Sequence, residues 1–450
     1  MSYHIKAYHR AEQAIDYTNV GKLTHINYGF AEINMSTFRL YIPNVSDFTT
    51  FLAGVRAIHP TIKVILSIGG WGCDGFSQVA NNSTYITNFA NDCAAFISTY
   101  SLDGIDIDWE FPVNGGWGAI AHLPADNVNY ITLLTAIKAA IGTKELSVAS
   151  GNYPLFCTDI NIANLNAVVD YINVQNYEFS NGVTFHNNLY MSETLRNEEW
   201  GDRVIKRYIT AGATPSKIVY GMGIYGKEWQ EGDTWNSGEH LFTELQADYI
   251  NKNGWVRSVD YKSMNPLLTN TTTGNVIYYE DEESVLYKCE YVKKEGLAGV
   301  MYWRYEIDNI NNDLLTVMYE QLILTEELTQ TIFDIIYGEL TSNLSENVCI
   351  GSYNDNYDNL SSIYMYGANE QHITYDTSIV RNLKIDIRVR DTNFVNGYAR
   401  ALKIFNKFKK YSANQLLKFT LQTDNDTIPH SKDVRGRSIF VVNLKLKILQ

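Results

Sequence analysis

Short apolar runs recur along the first 320 residues, and segments with helical spacing separate them. Between the runs, segments such as Tyr85–Tyr100 and Val128–Ile141 place apolar residues three and four positions apart, as in an amphipathic helix. Eight strands that alternate with helices predict a (β/α)₈ barrel of ordinary size. A doubly wound sheet is the alternative, but the eight repeats and the absence of a G-x-G-x-x-G turn argue against it. The predicted strands are Ile5–Tyr8, Thr24–Phe30, Lys63–Ile68, Gly104–Glu110, Leu146–Ser150, Tyr171–Tyr177, Ile218–Gly223 and Gly299–Trp303.

The interval between the seventh and eighth predicted strands, from Trp229 to Leu297, is unusually long. It contains two further strand-like segments, Gly254–Asp260 and Asn275–Tyr279, and then a helical pattern over Asp281–Lys294. We therefore expect a small α+β lobe, at about residues 230–290, inserted into a barrel that spans residues 1–322.

The hydrophobic pattern changes at about residue 325, and residues 325–450 predict a separate α+β domain. Apolar and charged residues alternate strictly in one segment, which is typical of a strand with one buried face. The predicted elements are the helices Glu326–Leu340 and Asn393–Tyr411 and the strands Leu383–Val389 and Ser438–Ile448.

Composition supports this division of the chain. The net charge of the 450 residues is −14, but residues 1–343 carry −19 and residues 344–450 carry +5. All eight Trp residues precede residue 304. An acidic protein is a poor candidate for binding nucleic acid or an anionic membrane, so we expect neither partner.

Cysteine usage and the start of the chain restrict the setting of the protein. The five cysteines form no C-x-x-C pair, so we expect no disulfide framework, no metal site and no cofactor. The first ten residues lack the apolar core of a signal peptide, and no run of eighteen apolar residues predicts a membrane span. We therefore expect synthesis in the cytoplasm without a signal peptide.

The most informative segment is the acidic strand Asp103–Glu110. Asp106, Asp108 and Glu110 share one face of this strand, which in a barrel is the lumen, and apolar residues share the other face. Carboxyls this close cannot all ionise, so at least one should hold a proton near neutral pH. A protonated carboxyl beside an ionised one suits acid–base cleavage of a glycosidic bond. A structural network or a divalent-metal site is the alternative, but Glu110 lies at the strand end where barrel active sites occur.

The segment Asp103-Gly-Ile-Asp-Ile-Asp-Trp-Glu110 resembles the D-x-x-D-x-D-x-E motif of glycoside hydrolase family 18, the chitinases and related endo-N-acetylglucosaminidases. The resemblance covers about residues 4–322. It implies hydrolysis of β-1,4 bonds in N-acetylglucosamine-containing glycans by a retaining mechanism, in which the acetamido group of the substrate attacks. Four further segments resemble the second, third, seventh and eighth strands of the family: Leu23–Ala31, Lys63–Trp71, Gly221–Trp229 and Gly299–Trp303.

The resemblance implies catalytic roles for four residues. Glu110 would protonate the glycosidic oxygen and later activate water, and Asp108 would orient the acetamido group. Asp106 would share a proton with Asp108, and Tyr177 would bind the acetamido carbonyl. Asp103 would be structural.

The resemblance also implies a set of substrate-binding residues. Trp303 would form the floor under the −1 sugar and Trp71 would line a +1 subsite, because aromatic faces suit the apolar face of a pyranose. Gly69 and Gly70 would form a turn, leave room for the sugar, or do both. The whole set is Trp303, Trp71, Tyr8, Phe30, Gly69, Gly70, Gln175 and Glu178.

Three positions depart from the family pattern. Gln175 stands where many members have Met, Glu178 where they have Asp, and Lys227 where Arg is common. Lysine lacks the bidentate fork of arginine, so we expect the substrate pose to differ from that of typical chitinases.

Residues from about 325 resemble phage tail terminator or minor capsid proteins, in segments such as Glu346–Tyr353 and Lys384–Thr392. This implies a ring of copies of the chain on tail-tube or cap proteins, carried on a particle that lysis releases. An accessory carbohydrate-binding domain is the alternative, and the absence of Trp argues against it. For the whole chain, a glycan-binding or structural tail protein with little turnover is the alternative function. The substrate stays open between chitin, peptidoglycan and N-glycan cores.

Overall fold

A computed structural model describes most of the first 324 residues and a set of segments beyond them. The chain divides into two compact units, Met1–Glu326 and Glu327–Gln450. The predicted helix Glu326–Leu340 and all but three residues of the predicted helix Asn393–Tyr411 lie outside the described residues. Described are residues 3–116, 120–179, 184–192, 199–230, 238–309, 311–324, 348–350, 360–366, 384–391, 401, 404, 411–412, 419–423, 430–432 and 438–448.

The first unit alternates strands and helices. Its strands are β1 (His4–Arg10), β2 (His25–Ile33), β3 (Leu40–Tyr41), β4 (Lys63–Gly69), β5 (Gly104–Asp108), β6 (Glu145–Ser150), β7 (Tyr171–Val174), β8 (Ile218–Gly223), β9 (Tyr225–Trp229), β10 (Gly238–Leu241), β11 (Trp255–Asp260), β12 (Asn265–Asn270), β13 (Val276–Tyr278) and β14 (Gly299–Trp303). Its helices are α1 (Val45–Ile58), α2 (Phe76–Ala80), α3 (Ser83–Tyr100), α4 (Asp126–Ile141), α5 (Phe156–Asp159), α6 (Ile162–Val168), α7 (Gly201–Thr210), α8 (Phe242–Glu244), α9 (Glu282–Glu295) and α10 (Asp313–Tyr319).

Eight parallel strands close into a barrel, which confirms the predicted fold class. Their order is β1-β14-β8-β7-β6-β5-β4-β2, and β2 pairs with β1 to complete the ring. The ladder of β5 ends at Asp108 and that of β7 at Val174. Glu110 and Tyr177 therefore follow their strands and lie on the loops at the carboxyl end of the barrel, although the sequence placed them inside the strands.

The alternation of β5 places apolar residues outside the barrel and carboxyls inside it. Trp109, which follows the strand, is fully buried beneath the helices. Its ring stacks on Phe76 of α2 at 5.4 Å and meets the edge of Tyr130 of α4 at 5.4 Å. Burying an aromatic side chain of this size contributes about 2–3 kcal/mol, so this contact fixes the helices against the strand that carries the acids.

The insertion between the seventh and eighth barrel strands starts earlier and has more strands than predicted. Strands β9 to β13 form a five-stranded antiparallel sheet with the order β10-β9-β13-β12-β11. The sheet begins at Tyr225, so Ile224 is the single residue that separates β8 from β9. Helix α9, which the sequence included in the lobe, packs against β14 and α10 as a barrel helix.

The second unit contains a seven-stranded sheet. Its strands β17 and β21 confirm the two predicted strands, and the register places Ile387 opposite Val442 and Ile363. Ala401 and Ile404, within the predicted basic helix, are buried. Across the described parts of both units, every helix is too short or too polar to span a membrane. The strands are β15 (Val348–Ile350), β16 (Leu360–Tyr366), β17 (Lys384–Asp391), β18 (Tyr411–Ser412), β19 (Phe419–Thr423), β20 (His430–Lys432) and β21 (Ser438–Ile448).

Candidate active site

The three predicted lumen acids lie at and just beyond the carboxyl end of β5. Asp106 is fully buried, Asp108 is almost fully buried, and Glu110 is partly exposed at the rim. Burial therefore decreases along the series toward the mouth of the barrel, which is where parallel (β/α)₈ barrels hold their active sites.

Asp106 is held by uncharged donors from four other strands. The Tyr8 hydroxyl, at 2.9 Å, and the Ser67 hydroxyl, at 2.7 Å, donate to its Oδ2. Its Oδ1 accepts from the Ser147 hydroxyl at 2.6 Å and from Nδ2 of Asn173 at 3.1 Å. Because both oxygens accept hydrogen bonds from neutral groups, Asp106 is fixed in one orientation as an acceptor.

Asp108 and Glu110 form a hydrogen-bonded pair of carboxyls. Burial raises the pKa of Asp108 well above its usual value, and the charges of Glu110 and Asp106 raise it further. Burial also raises the pKa of Glu110, whereas hydrogen bonds from Gln175 and Asp108 act in the opposite direction. Asp108 thus has a hydrogen-bond partner in Glu110, and the sharing of a proton between Asp106 and Asp108 stays a prediction.

The predicted aromatic residues form a floor and one wall beside these acids. Trp303, at the end of β14, stacks on Phe30 with ring centres 6.0 Å apart and an interplanar angle of 18°. Tyr8 packs against the same indole at 5.9 Å. Tyr177 is nearly buried, 6.4 Å from the ring of Tyr225, while Trp71 is 60% exposed at the end of β4.

Gly69 and Gly70 are required by contacts within the protein. Their φ angles of +117° and +87° lie in the left-handed region that favours glycine. A Cβ at Gly69 would lie 2.1 Å from the Asp108 carbonyl oxygen, and one at Gly70 would lie 2.7 Å from the Phe30 ring. The two glycines therefore let β4 end close to the acidic strand and to the aromatic wall.

Glu178 forms the wall on the side of the inserted lobe. Its Oε1 accepts from Nζ of Lys227 at 2.7 Å and from the Tyr225 hydroxyl at 2.8 Å. The two replacements noted in the sequence, Glu for Asp and Lys for Arg, thus contact each other directly. The longer acid reaches the single charge of the lysine without a bidentate fork.

The comparisons with known proteins agree with this geometry. The sequence model of Glycosyl hydrolases family 18 matches residues 2–308. The chain belongs to this family. It is 32% identical over 291 residues to Chitinase A1 of Niallia circulans, an alignment that covers 56% of this chain and 42% of that protein. It is also 25% identical over 380 residues to Chitinase B of Serratia marcescens, covering 66% of this chain and 75% of that one.

A solved family 18 structure is similar over the barrel unit. The N-acetylglucosaminidase of Paenibacillus barengoltzii superposes with a TM-score of 0.66 at 28% identity, covering 71% of this chain and all of that one. The chain thus spans a whole relative in this case but less than half of the length of Chitinase A1.

A second buried charge cluster lies at the opposite, amino end of the family 18 barrel. Oε1 of Glu145 is 2.7 Å from Nζ of Lys6, and its Oε2 is 3.0 Å from Nε2 of His25 and 3.2 Å from Nζ of Lys63. Although burial alone would raise the pKa of Glu145, Lys6 and His25 hold it well below its usual value. Burial and the neighbouring Lys6 lower the pKa of His25 to about 4.

Asp103 belongs to this amino end and not to the active site. Its Oδ2 accepts from the Val64 backbone N–H at 3.0 Å, and its Oδ1 lies 3.7 Å from Nζ of Lys144. Among the residues that the structure describes, no group of three or more His, Cys, Asp and Glu side chains could hold a metal ion.

Sequence reasoning missed the neutral residues that organise the site. Ser67 and Ser147 lie in register with Asp106 on the neighbouring strands β4 and β6. Asn152 donates through Nδ2 to the carbonyl oxygens of Gln175 and Tyr177, at 2.9 and 2.5 Å. None of these residues is charged, so only the register of the barrel could have indicated them.

Proposed function

We propose that the chain is a chitinase-type glycosidase that hydrolyses β-1,4 bonds between N-acetylglucosamine units with retention of configuration. The observation that carries this proposal is the hydrogen-bonded pair of Asp108 and Glu110, whose pKa values are both raised by burial. A carboxyl that still holds a proton near neutral pH can act as a general acid.

In the proposed mechanism, one proton serves both members of the pair. It passes from Asp108 to Glu110, and Glu110 delivers it to the glycosidic oxygen as the acetamido carbonyl oxygen of the substrate attacks the anomeric carbon. Asp108, now charged, accepts from the acetamido N–H, while the Tyr177 hydroxyl donates to the acetamido carbonyl oxygen. Glu110 then removes a proton from the water that opens the cyclic intermediate, and the return of this proton to Asp108 restores the starting state of the pair.

The surrounding groups suit this charge development. Asp106, fixed by four neutral donors, would keep its acceptor oxygens in one orientation behind Asp108. Trp303 and Phe30 would provide an apolar floor for the sugar. The names of the relatives, two chitinases and an N-acetylglucosaminidase, support N-acetylglucosamine polymers as the substrate class.

The test is a product analysis on chitin oligomers, peptidoglycan and a high-mannose glycoprotein side by side. We expect cleavage of the chitin oligomers, with the β-anomer appearing first in proton NMR spectra. Cellulose oligomers of the same length are the matched control, because they lack the acetamido group and should stay intact. No release from any of the three acetamido substrates, or an initial α-anomer, would overturn the proposal.

A glycan-binding protein with little turnover is the second candidate function. The pair of Glu178 and Lys227 favours it, because both residues differ from the common family pattern and bind each other at the lobe wall. Measurable affinity for a chitin oligomer together with zero release of product would support this candidate.

We also propose that the second unit attaches the enzyme to a phage-tail-like particle. The support is its sequence resemblance, the net charge of +5 over residues 344–450, and its absence of Trp. Fractionation of lysates and electron microscopy of the particles test this: the chain should sediment with tail particles, and a chain found only as free monomer would contradict it.

A further inference from the structure

The side-chain amide of Gln175 lies between two residues of the proposed catalytic machinery. Its Nε2 donates to Oε1 of Glu110 at 2.8 Å, and the same amide acts on Tyr177, where it opposes the effect of burial by lowering the pKa of the hydroxyl. The resemblance to family 18 implied that Gln175 contacts the sugar. The contact with the sugar stays a prediction, and the structure shows a bond of this amide within the protein.

The backbone around Gln175 holds this amide in place. The backbone N–H of Gln175 donates to the Ser150 carbonyl oxygen at 3.0 Å, and the Gln175 carbonyl oxygen accepts from Nδ2 of Asn152 at 2.9 Å. Asn152 is fixed in turn, because Nη1 of Arg207 donates to its carbonyl oxygen at 2.9 Å. Arg207 also binds both oxygens of Glu199, at 2.8 and 2.5 Å. A side chain supported in this way loses little conformational freedom when it binds a carboxyl.

The amide acts on a carboxyl whose proton is shared. An N–H donor stabilises the charged form of Glu110 relative to its protonated form, and this effect opposes that of burial. The other titratable groups around Glu110 are Asp108 on β5, Tyr177 and Glu178 after β7, and Tyr153 after β6. All of these are acids, so Gln175 provides the fixed donor in this group.

We propose that Gln175 is a positioning residue for Glu110, whose carboxyl it orients while it biases the shared proton toward Asp108 in the free enzyme. This inference rests on the proposed function of Glu110 as acid and base. It assigns a task to a residue that the family pattern often fills with Met, which has no N–H donor.

The test compares Gln175→Met with a matched substitution, Gln78→Met on α2, where Oε1 of the glutamine has no partner among the described residues. Loss of the donor in Gln175→Met should raise the pKa of Glu110. The alkaline limb of the pH profile of kcat/KM should therefore move upward by about one pH unit, the size expected for a charge-assisted hydrogen bond. We expect kcat at neutral pH to fall about tenfold, with KM changed less than about twofold. The isosteric Gln175→Glu should shift the limb further in the same direction, because it adds a like charge without altering packing.

Titration of the Glu110 carboxyl by ¹³C NMR in the free protein reads the same shift without turnover. An unchanged titration in Gln175→Met, or a raised KM with unchanged kcat, would overturn the inference and leave a sugar contact or a packing role. A wild-type protein with no hydrolysis would instead contradict the proposed function, while the NMR titration would still decide the role of Gln175. Thermal melts of all three variants confirm that each is folded at the temperature of the assay.

Discussion

Buried charged side chains occupy both ends of the barrel lumen, but the partners of these side chains differ between the two ends. At the amino end, Glu145 contacts Lys6 and His25 directly, so acid and base are paired. At the carboxyl end, Asp106, Asp108 and Glu110 form no ion pair with any Lys, Arg or His among the described residues. Neutral hydroxyls and amides surround them instead.

This difference in partners suits one end of the lumen to stabilising the fold and the other end to proton transfer. A paired buried charge is stable at neutral pH, but it has no proton to exchange near that pH. Clustered acids without a base retain a proton into the neutral range, at a cost in folding free energy, and such groups are typical of catalytic sites. The amino end therefore closes and stabilises the barrel, and the carboxyl end keeps a proton available to a substrate.

After the loss of Glu110 itself, the strongest expected effect at a single acid is that of Asp108→Asn. Because the acetamido group would lose its charged partner, we expect hydrolysis to fall about 100- to 1,000-fold. Asp103→Asn, at the other end of the same acidic segment, is the matched control and should retain full activity.

The same Asp108 variant should be more stable than the wild type at neutral pH. The folded-state pKa of Asp108 lies above its unfolded value, so the folded protein binds more protons, and the wild type loses stability as the pH rises from about 4. Asparagine does not ionise, so the gain in melting temperature should be largest at pH 7 and vanish near about pH 4. A lower melting temperature than wild type at pH 7 would contradict this account of the carboxyl end.

At the amino end, Lys6→Met should destabilise the fold without affecting the chemistry. Lys6 is fully buried, and its loss leaves Glu145 with weaker partners, so the free energy of unfolding should fall by about 3 kcal/mol. Lys63→Met removes a half-exposed lysine from the same carboxyl and should change it by less than about 1 kcal/mol. Urea unfolding measures the free energy of unfolding of both variants. Equal losses of this free energy in the two variants would show that burial of Lys6 does not cause the larger effect expected there.

The smallest expected effect is a change in acid sensitivity in His25→Gln. His25 has a pKa of about 4 in the folded protein and an ordinary value near 6.5 in the unfolded chain. The unfolded state therefore binds more protons between these values, so the wild type loses stability as the pH falls from 6.5 to 4. In His25→Gln, the change of the free energy of unfolding with pH should decrease by the equivalent of up to about one bound proton. An unchanged pH dependence in urea unfolding would show that other groups cause the acid sensitivity.

The barrel and the acidic strand could be predicted because both are local patterns. Eight repeats of strand and helix indicate the fold, and alternate carboxyls in Asp103–Glu110 indicate a charged lumen face. The strand β17 was predicted for the same reason, from alternation within one segment, and β21 from an apolar segment that follows a turn signal.

The partners of these acids could not be predicted, because they depend on register between distant strands. Asp106 meets Asn173, which is 67 residues away, and Lys6 meets Glu145, which is 139 residues away. The start of the lobe was missed because β9 follows β8 after one residue, without a turn signal. The donor bond of Gln175 to Glu110 could not be predicted because it requires the loop after β7 to fold back toward β5.

One parallel measurement tests the comparison most directly: the same change, Glu to Gln, at both ends of the lumen. In Glu110→Gln, we expect hydrolysis of chitin oligomers to fall at least about 1,000-fold, since the general acid is lost, with no loss of melting temperature. In Glu145→Gln, we expect kcat within about twofold of wild type and a loss of about 3–5 kcal/mol in the free energy of unfolding. Wild-type hydrolysis by Glu110→Gln, or a Glu145→Gln protein that is fully stable but inactive, would contradict the division of tasks between the two ends.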